Sequence, residues 1–154
     1  MKKLYGYLTL TILIMVAIFM FSSQNAEQSS EVSSTLLKWI AEKILGNPEV
    51  ASSGWGTFVI RKMAHFSIYL CLGASIALTV REWKPKGRPF LWAWLIAVVY
   101  AATDEFHQYF VPGRSCEFRD VCIDGLGALI GVCIVWLVTA RPWKKSARKN
   151  RSTI

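Results

Sequence analysis

Histidine is scarce, with two residues among 154, and the chain contains no Cys-x-x-Cys, His-Glu-x-x-His or Gly-x-Ser-x-Gly sequence. Those absences remove the usual spacings of structural zinc sites, zinc proteases and serine hydrolases built on a nucleophile elbow. The paired histidine motifs of lipid phosphatases are missing as well, and no internal repeat is evident. Acidic residues are few, ten against eighteen Lys and Arg, which leaves a net charge of +8. Such an excess suits nucleic-acid binding only when it forms a folded basic stripe with stacking aromatics. Here the cations flank apolar segments, so they are read as topology and no nucleic-acid partner is expected.

Apolar residues are abundant: 53% of the chain, seven of them Trp, with a mean hydropathy of +0.34. A domain of this size cannot bury so much apolar surface in its own core, and lipid must take the excess. Cys71 and Cys133 fall midway along apolar runs, where thiols behave as small hydrophobes. Cys116 and Cys122 lie nearer an expected outer surface, where either a disulfide or two free thiols would be compatible with their positions.

The pattern predicts an all-α membrane protein with four transmembrane helices, at about residues 4–21, 58–80, 90–106 and 121–140, forming one domain over 1–140. The first run is longer than a signal-peptide core and has no small-x-small cleavage site, so it is read as an uncleaved helix. Between the first two spans Val32, Leu36, Leu37, Ile40 and Ile44 recur at helical spacing, with Gly46 and Pro48 as the stop. This is a short amphipathic extracytoplasmic helix, lying on the membrane with Trp39 at the headgroups or packing over the mouth of the bundle. Twelve of the eighteen Lys and Arg fall in the N-terminus, the 81–90 loop and the 141–154 segment. Positive-inside therefore places both termini in the cytoplasm, with 141–154 as a basic, unstructured, lipid-facing tail.

With that topology, Arg61 and His65 fall one helical turn apart near the outer end of the second span. Asp104 and Gln108 repeat the spacing at the end of the third, with Glu105 and His107 beside them, and Asp120 and Asp124 at the start of the fourth. Gly127 and Gly131 continue that last stripe inward, where small residues allow a helix or a lipid chain to approach closely. Ionisable groups within a membrane cost ~2.5–3.5 kcal/mol near the centre, so they pair or line a hydrated cavity.

Two uses of this cluster stay open from the residues alone. Arg61, Asp104, Glu105, Asp120 and Arg114 can form a salt-bridge network that holds the helices in register. Alternatively Arg61 and Arg114 fork onto the phosphate of an anionic lipid or envelope precursor, with Gln108 and Asp124 as further binding residues. His65, Asp104, Glu105 and Asp120 are the catalytic candidates, with His65 as acid or base oriented by Asp120 or Asp124. Lys62 is expected to snorkel to headgroups, His107 to sit in a solvated loop, and Glu117 and Arg119 to face water. A cation held by Asp104, Glu105, Asp120 and Asp124 is not dictated by any spacing, so no metal is assigned, and the sequence names no cofactor.

The ordered set Ser22-Ser23-Gln24, Arg61-Lys62-x-Ala64-His65-Phe66-x-x-Tyr69, Asp104-Glu105-x-x-Gln108, Pro112-Gly113-Arg114 and Asp120-x-x-x-Asp124-x-x-Gly127 resembles the VanZ family of bacterial membrane proteins, from Leu4 to about Trp136. Many members carry Asn where this chain has Asp124. The resemblance implies a multi-pass protein of the bacterial cell membrane, a role at the cell envelope rather than a reaction, and a link to low-level tolerance of teicoplanin-type glycopeptides. Three functions follow as expectations: a protein engaging a lipid or lipid-linked precursor at the outer leaflet, a membrane hydrolase or transferase using His65 and a carboxylate, or a partner subunit or small transporter.

Overall fold

The computed structural model describes residues 1–45, 54–83 and 88–151, with residues 45 and 140–151 described by backbone alone. Every regular element among the described residues is helical: α1 Lys2–Ser22, α2 Ala26–Ile40 running into a π-helical turn Ala41–Leu45, α3 Gly54–Trp83, α4 Pro89–Gln108 and α5 Phe118–Arg151. Three stretches are long and apolar enough to cross a membrane, namely α1, α3 and Phe118–Thr139 of α5. The 20-residue α4 is not among them, because its last turns carry Asp104, Glu105, His107 and Gln108. At ~1.5 Å per residue α3 is roughly 45 Å long, about 15 Å more than a hydrocarbon core, so Arg61 and Lys62 can stand in the interface.

Little of the apolar surface is buried inside the protein. In α1 only Thr11, Ile18 and Ser22 are buried, all on one face; Ile14 and Met15 are partly buried against the core, and Leu8, Leu10, Ile12, Leu13, Phe19 and Phe21 are exposed, as they would be toward lipid. The core mixes large side chains, Tyr69, Leu72 and Ile76 of α3 and Ile18 of α1, with small residues that let the helices approach. Ala93, Ala97 and Ala101 form one stripe of α4 at i, i+4 spacing, and that stripe runs directly into Asp104, Glu105 and Gln108. Between α3 and α5 the approach is closer still: a Cβ on Gly127 would lie 2.4 Å from the Phe66 carbonyl oxygen, and one on Gly131 would lie 2.0 Å from that of Leu70. The two contacts advance together along both chains, so α3 and α5 run parallel and α4 returns between them.

Hydrogen bonds between helices reinforce this packing in a region without competing water. The Thr11 hydroxyl lies 3.2 Å from those of both Ser75 and Thr79, tying α1 to α3. Tyr100 donates to the Met15 carbonyl at 2.7 Å, and the Trp94 indole donates to the Gly125 carbonyl at 3.0 Å.

Several expectations change. The helix between the first two spans packs over one end of the bundle, but it turns Ser29, Ser33 and Leu37 inward and leaves Val32, Leu36, Trp39 and Ile44 exposed. Its start is a capping box, in which Asn25 accepts from the Gln28 N–H at 2.8 Å and Gln28 accepts from the Asn25 N–H at 3.2 Å. The expected stop at Gly46 and Pro48, and the loop around Pro85, lie outside the described residues. Helix α5 begins three residues ahead of Val121 and continues past Ala140 through Arg151, where a structureless tail was expected. Lys, Arg and Ala are good helix formers, and extending an existing helix avoids the cost of nucleation. All four cysteines are unbridged.

Gly131→Val should lower the thermal midpoint in detergent, by the equivalent of at least ~1–3 kcal/mol for overpacking. Gly6→Ala, where a Cβ meets nothing within 4 Å, should leave that midpoint unchanged.

Candidate functional site

The close contact of α3 with α5 sets the site, because the residues one and two turns outward from it on each helix are forced to meet. Lys62 pairs with Asp120, both largely shielded from solvent. His65 Nδ1 lies 3.8 Å from Asp124 Oδ2, which is too long for a hydrogen bond. Lys62 therefore does not snorkel, since a half-buried carboxylate lies within its reach. Of the two carboxylates proposed to orient His65, Asp124 is the one alongside it and Asp120 is occupied by the lysine.

From α4, Asp104, Glu105 and Gln108 are all buried. Ser22, the last residue of α1, donates to Asp104 Oδ2 at 2.8 Å, and Gln108 donates to the same oxygen at 3.2 Å. Arg114 in turn donates to the Gln108 carbonyl oxygen at 3.3 Å. An amide thus stands between the guanidinium and the acid, satisfying both without direct ion pairing. Glu105 holds the loop, accepting from the Glu117 N–H at 3.1 Å just before α5 begins. That contact makes Glu105 an anchor of the backbone rather than a member of the His65 group.

The turn Pro112-Gly113-Arg114 delivers the second arginine. Gly113 has φ +74°, in the left-handed region that favours glycine, and the Pro112 carbonyl accepts from the Ala26 N–H at 3.3 Å. Arg114 Nε donates to the Gln24 carbonyl at 3.2 Å, so the turn clasps the α1–α2 junction. Burial first, and then the charge of Arg61, pull the Arg114 guanidinium below its ordinary pKa, although it stays protonated. The Arg61 side chain makes no hydrogen bond or ion pair among the described residues, which removes it from the expected salt-bridge network.

Two cavities meet here. The larger, about 240 Å³, lies beneath α2 with Ile18, Phe21, Val32 and Ile68 among its walls. The smaller, about 50 Å³, is bounded by Lys62, Gln108, Ser115, Glu117 and Asp120. Arg61, His65 and Arg114 line both and form the partition between an apolar and a polar chamber. Such a wall can hold an anion by two guanidinium forks while an apolar chain occupies the other side.

His107 is not a loop residue: it belongs to the last turn of α4, its ring stacks on Phe19 at 4.7 Å, and its Nε2 lies 3.2 Å from the Ser23 hydroxyl. Glu117 and Arg119 pair with each other at 2.7 Å and are exposed, as expected. Sequence reasoning missed Ser22 and Tyr69 as members of the site. Ser22 carries a legible signal, a hydroxyl at the end of the α1 face that Thr11 and Ile18 also occupy, whereas the burial of Tyr69 depends on how α3 is rotated.

The fold and this gathering of ionisable groups at one end of the bundle define a multi-pass membrane protein with a polar site between its helices. The VanZ/LLP1 family model matches residues 7–139, and the chain belongs to that family. Neither curated proteins nor solved structures give a match.

In a double-mutant cycle, Lys62→Met and Asp120→Asn should couple by about 0.5–3 kcal/mol in thermal unfolding. Lys62→Met alone should be the costlier single change, because it strands a half-buried carboxylate.

Proposed function

We propose that this VanZ-like envelope protein binds the phosphate of an anionic lipid or lipid-linked envelope precursor at the outer leaflet of a bacterial membrane. Arg61 and Arg114 serve as the phosphate clamp. The observation that carries this reading is that Arg61, without an ion-pair partner among the described residues, lines the same partition as the charged Arg114. Two like charges facing each other beside a cavity are costly until an anion enters, and the entering anion recovers that energy. Ile18, Phe21, Val32 and Ile68 on the apolar side suit an acyl or polyprenyl chain. Gln108 positions Arg114 from behind.

This reading includes four crossings with both termini cytoplasmic. Parallel α3 and α5, both long enough to cross, require the chain between them to return through the same thickness, which supports α4 as a span. The site end of the bundle, where α1 ends and α3 begins, is then extracytoplasmic. Sequestering or presenting a precursor there is the route by which the protein contributes to glycopeptide tolerance.

A hydrolase or transferase reading draws on the approach of His65 Nδ1 to Asp124, an orientation suited to a general base. A His65→Gln variant that retains full function in cells would end that reading.

Full-length protein in nanodiscs should bind undecaprenyl phosphate more tightly than undecaprenol. Arg61→Ala and Arg114→Ala should each weaken phosphate binding at least tenfold, about 1.4 kcal/mol, and Arg61→Lys should weaken it less. In cells, the same alanine variants should remove any glycopeptide tolerance the wild type confers. Equal binding of the phosphate and the alcohol, or alanine variants that match the wild type, would refute the clamp.

A further inference from the structure

Asp124 is 1% exposed, and neither of its oxygens accepts a hydrogen bond. A carboxylate buried this deeply is normally paired or bound to a cation. Its nearest charged neighbour is the His65 imidazole, 3.8 Å from Oδ2, and further ligand-type atoms lie close by. One atom each of His65, Asp104 and Asp124 lies within 4.8 Å of the others, and the three residues come from α3, α4 and α5. The Tyr69 hydroxyl, fully buried beside Asp104 and Asp124, likewise has no hydrogen-bond partner. Two unsatisfied buried groups on adjoining helices thus border one cluster of an imidazole and two carboxylates.

We infer that His65, Asp104 and Asp124 form a binding site for a divalent transition-metal cation of the Zn²⁺ or Mn²⁺ type. The donor set fits: imidazole favours first-row transition metals over Ca²⁺ or Mg²⁺, and two carboxylates balance the charge. The spacing fits with small movements. A four-coordinate ion at ~2.0–2.2 Å from each ligand holds ligand atoms roughly 3.4 Å apart, so from separations of up to 4.8 Å the side chains need to close by at most ~1.4 Å. Ser22 and Gln108, which hydrogen-bond Asp104 Oδ2, supply the outer support that metal-binding carboxylates commonly have. Three protein ligands leave a coordination position open, and His65 also lines the cavity partition, so the ion borders the chamber beneath α2. The inference concerns residues other than the arginine clamp and stands apart from the phosphate reading.

The test uses full-length protein in detergent, stripped with EDTA, dialysed and free of added lipid phosphate, titrated with ZnCl₂ and separately with MnCl₂ by calorimetry and by thermal unfolding. The wild type should take up one equivalent of at least one ion and gain at least ~5 °C in midpoint at saturating metal. Asp124→Asn, which keeps the side chain's shape, should bind at least tenfold more weakly. In EDTA it should be no less stable than the wild type, because the amide removes an uncompensated charge. His65→Gln should weaken binding similarly, which covers the case in which the asparagine variant does not fold. Arg61→Ala leaves all three ligands in place and removes a neighbouring positive charge, so it should bind metal at least as tightly as the wild type, and a failed phosphate clamp and a failed metal site give different results. Absence of saturable binding of both ions, or equal binding by wild type and a folded Asp124→Asn or His65→Gln variant, would overturn the inference.

Discussion

The bare contact between α3 and α5 governs the rest of the molecule. With hydrogen in place of a side chain at Gly127 and Gly131, the two backbones meet at distances that a single methyl group would forbid. In a membrane there is little hydrophobic drive between apolar helices, so close packing and a few interhelical hydrogen bonds must hold them. That closeness extends outward along both helices into residues that are not apolar. One to two turns from the glycines, Lys62 and His65 of α3 have no room to avoid Asp120 and Asp124 of α5. The alanine stripe of α4 brings Asp104 into the same space by the same means.

The charges assembled there are not treated alike. Asp120 has a lysine, Asp104 has the Ser22 hydroxyl and the Gln108 amide, and Glu105 has the backbone that starts α5. Arg61 and Asp124, of opposite sign, remain without hydrogen-bond partners among the described residues. Asp124 has only the His65 imidazole, 3.8 Å from Oδ2, and the Arg61 side chain has no ion-pair partner among the described residues; an uncompensated, partly buried charge costs several kcal/mol. Arg61 lines the partition between the two cavities, Asp124 belongs to the cluster with Asp104, and His65 is common to both.

Much of this was legible in the sequence, and the limits have physical causes. The pairs at i, i+4 are local, so Arg61 with His65, and Asp104 with Gln108, followed from helical geometry and are found together. The Gly127 and Gly131 stripe likewise signalled a close neighbour, which proves to be α3. What crosses from helix to helix was not legible. The pairing of Lys62 with Asp120 rather than with headgroups, and the use of Glu105 to fasten a loop, depend on rotations about helix axes that periodicity does not specify. The same holds for α2, where the apolar ridge is real but the serines face inward. A cluster with one ligand from each of three helices leaves no spacing in the chain to find, which is why no metal was assigned.

The partition formed by Arg61, His65 and Arg114, with an apolar chamber behind it, is the proposed phosphate site. An experimental structure of the full-length protein in nanodiscs, determined with and without undecaprenyl phosphate, tests it most directly. Density for one phosphate is expected between the two guanidiniums, with the attached chain running past Ile18, Phe21, Val32 and Ile68 beneath α2. Arg61 turned outward to bulk headgroups, with the chamber indistinguishable between the two structures, would contradict it.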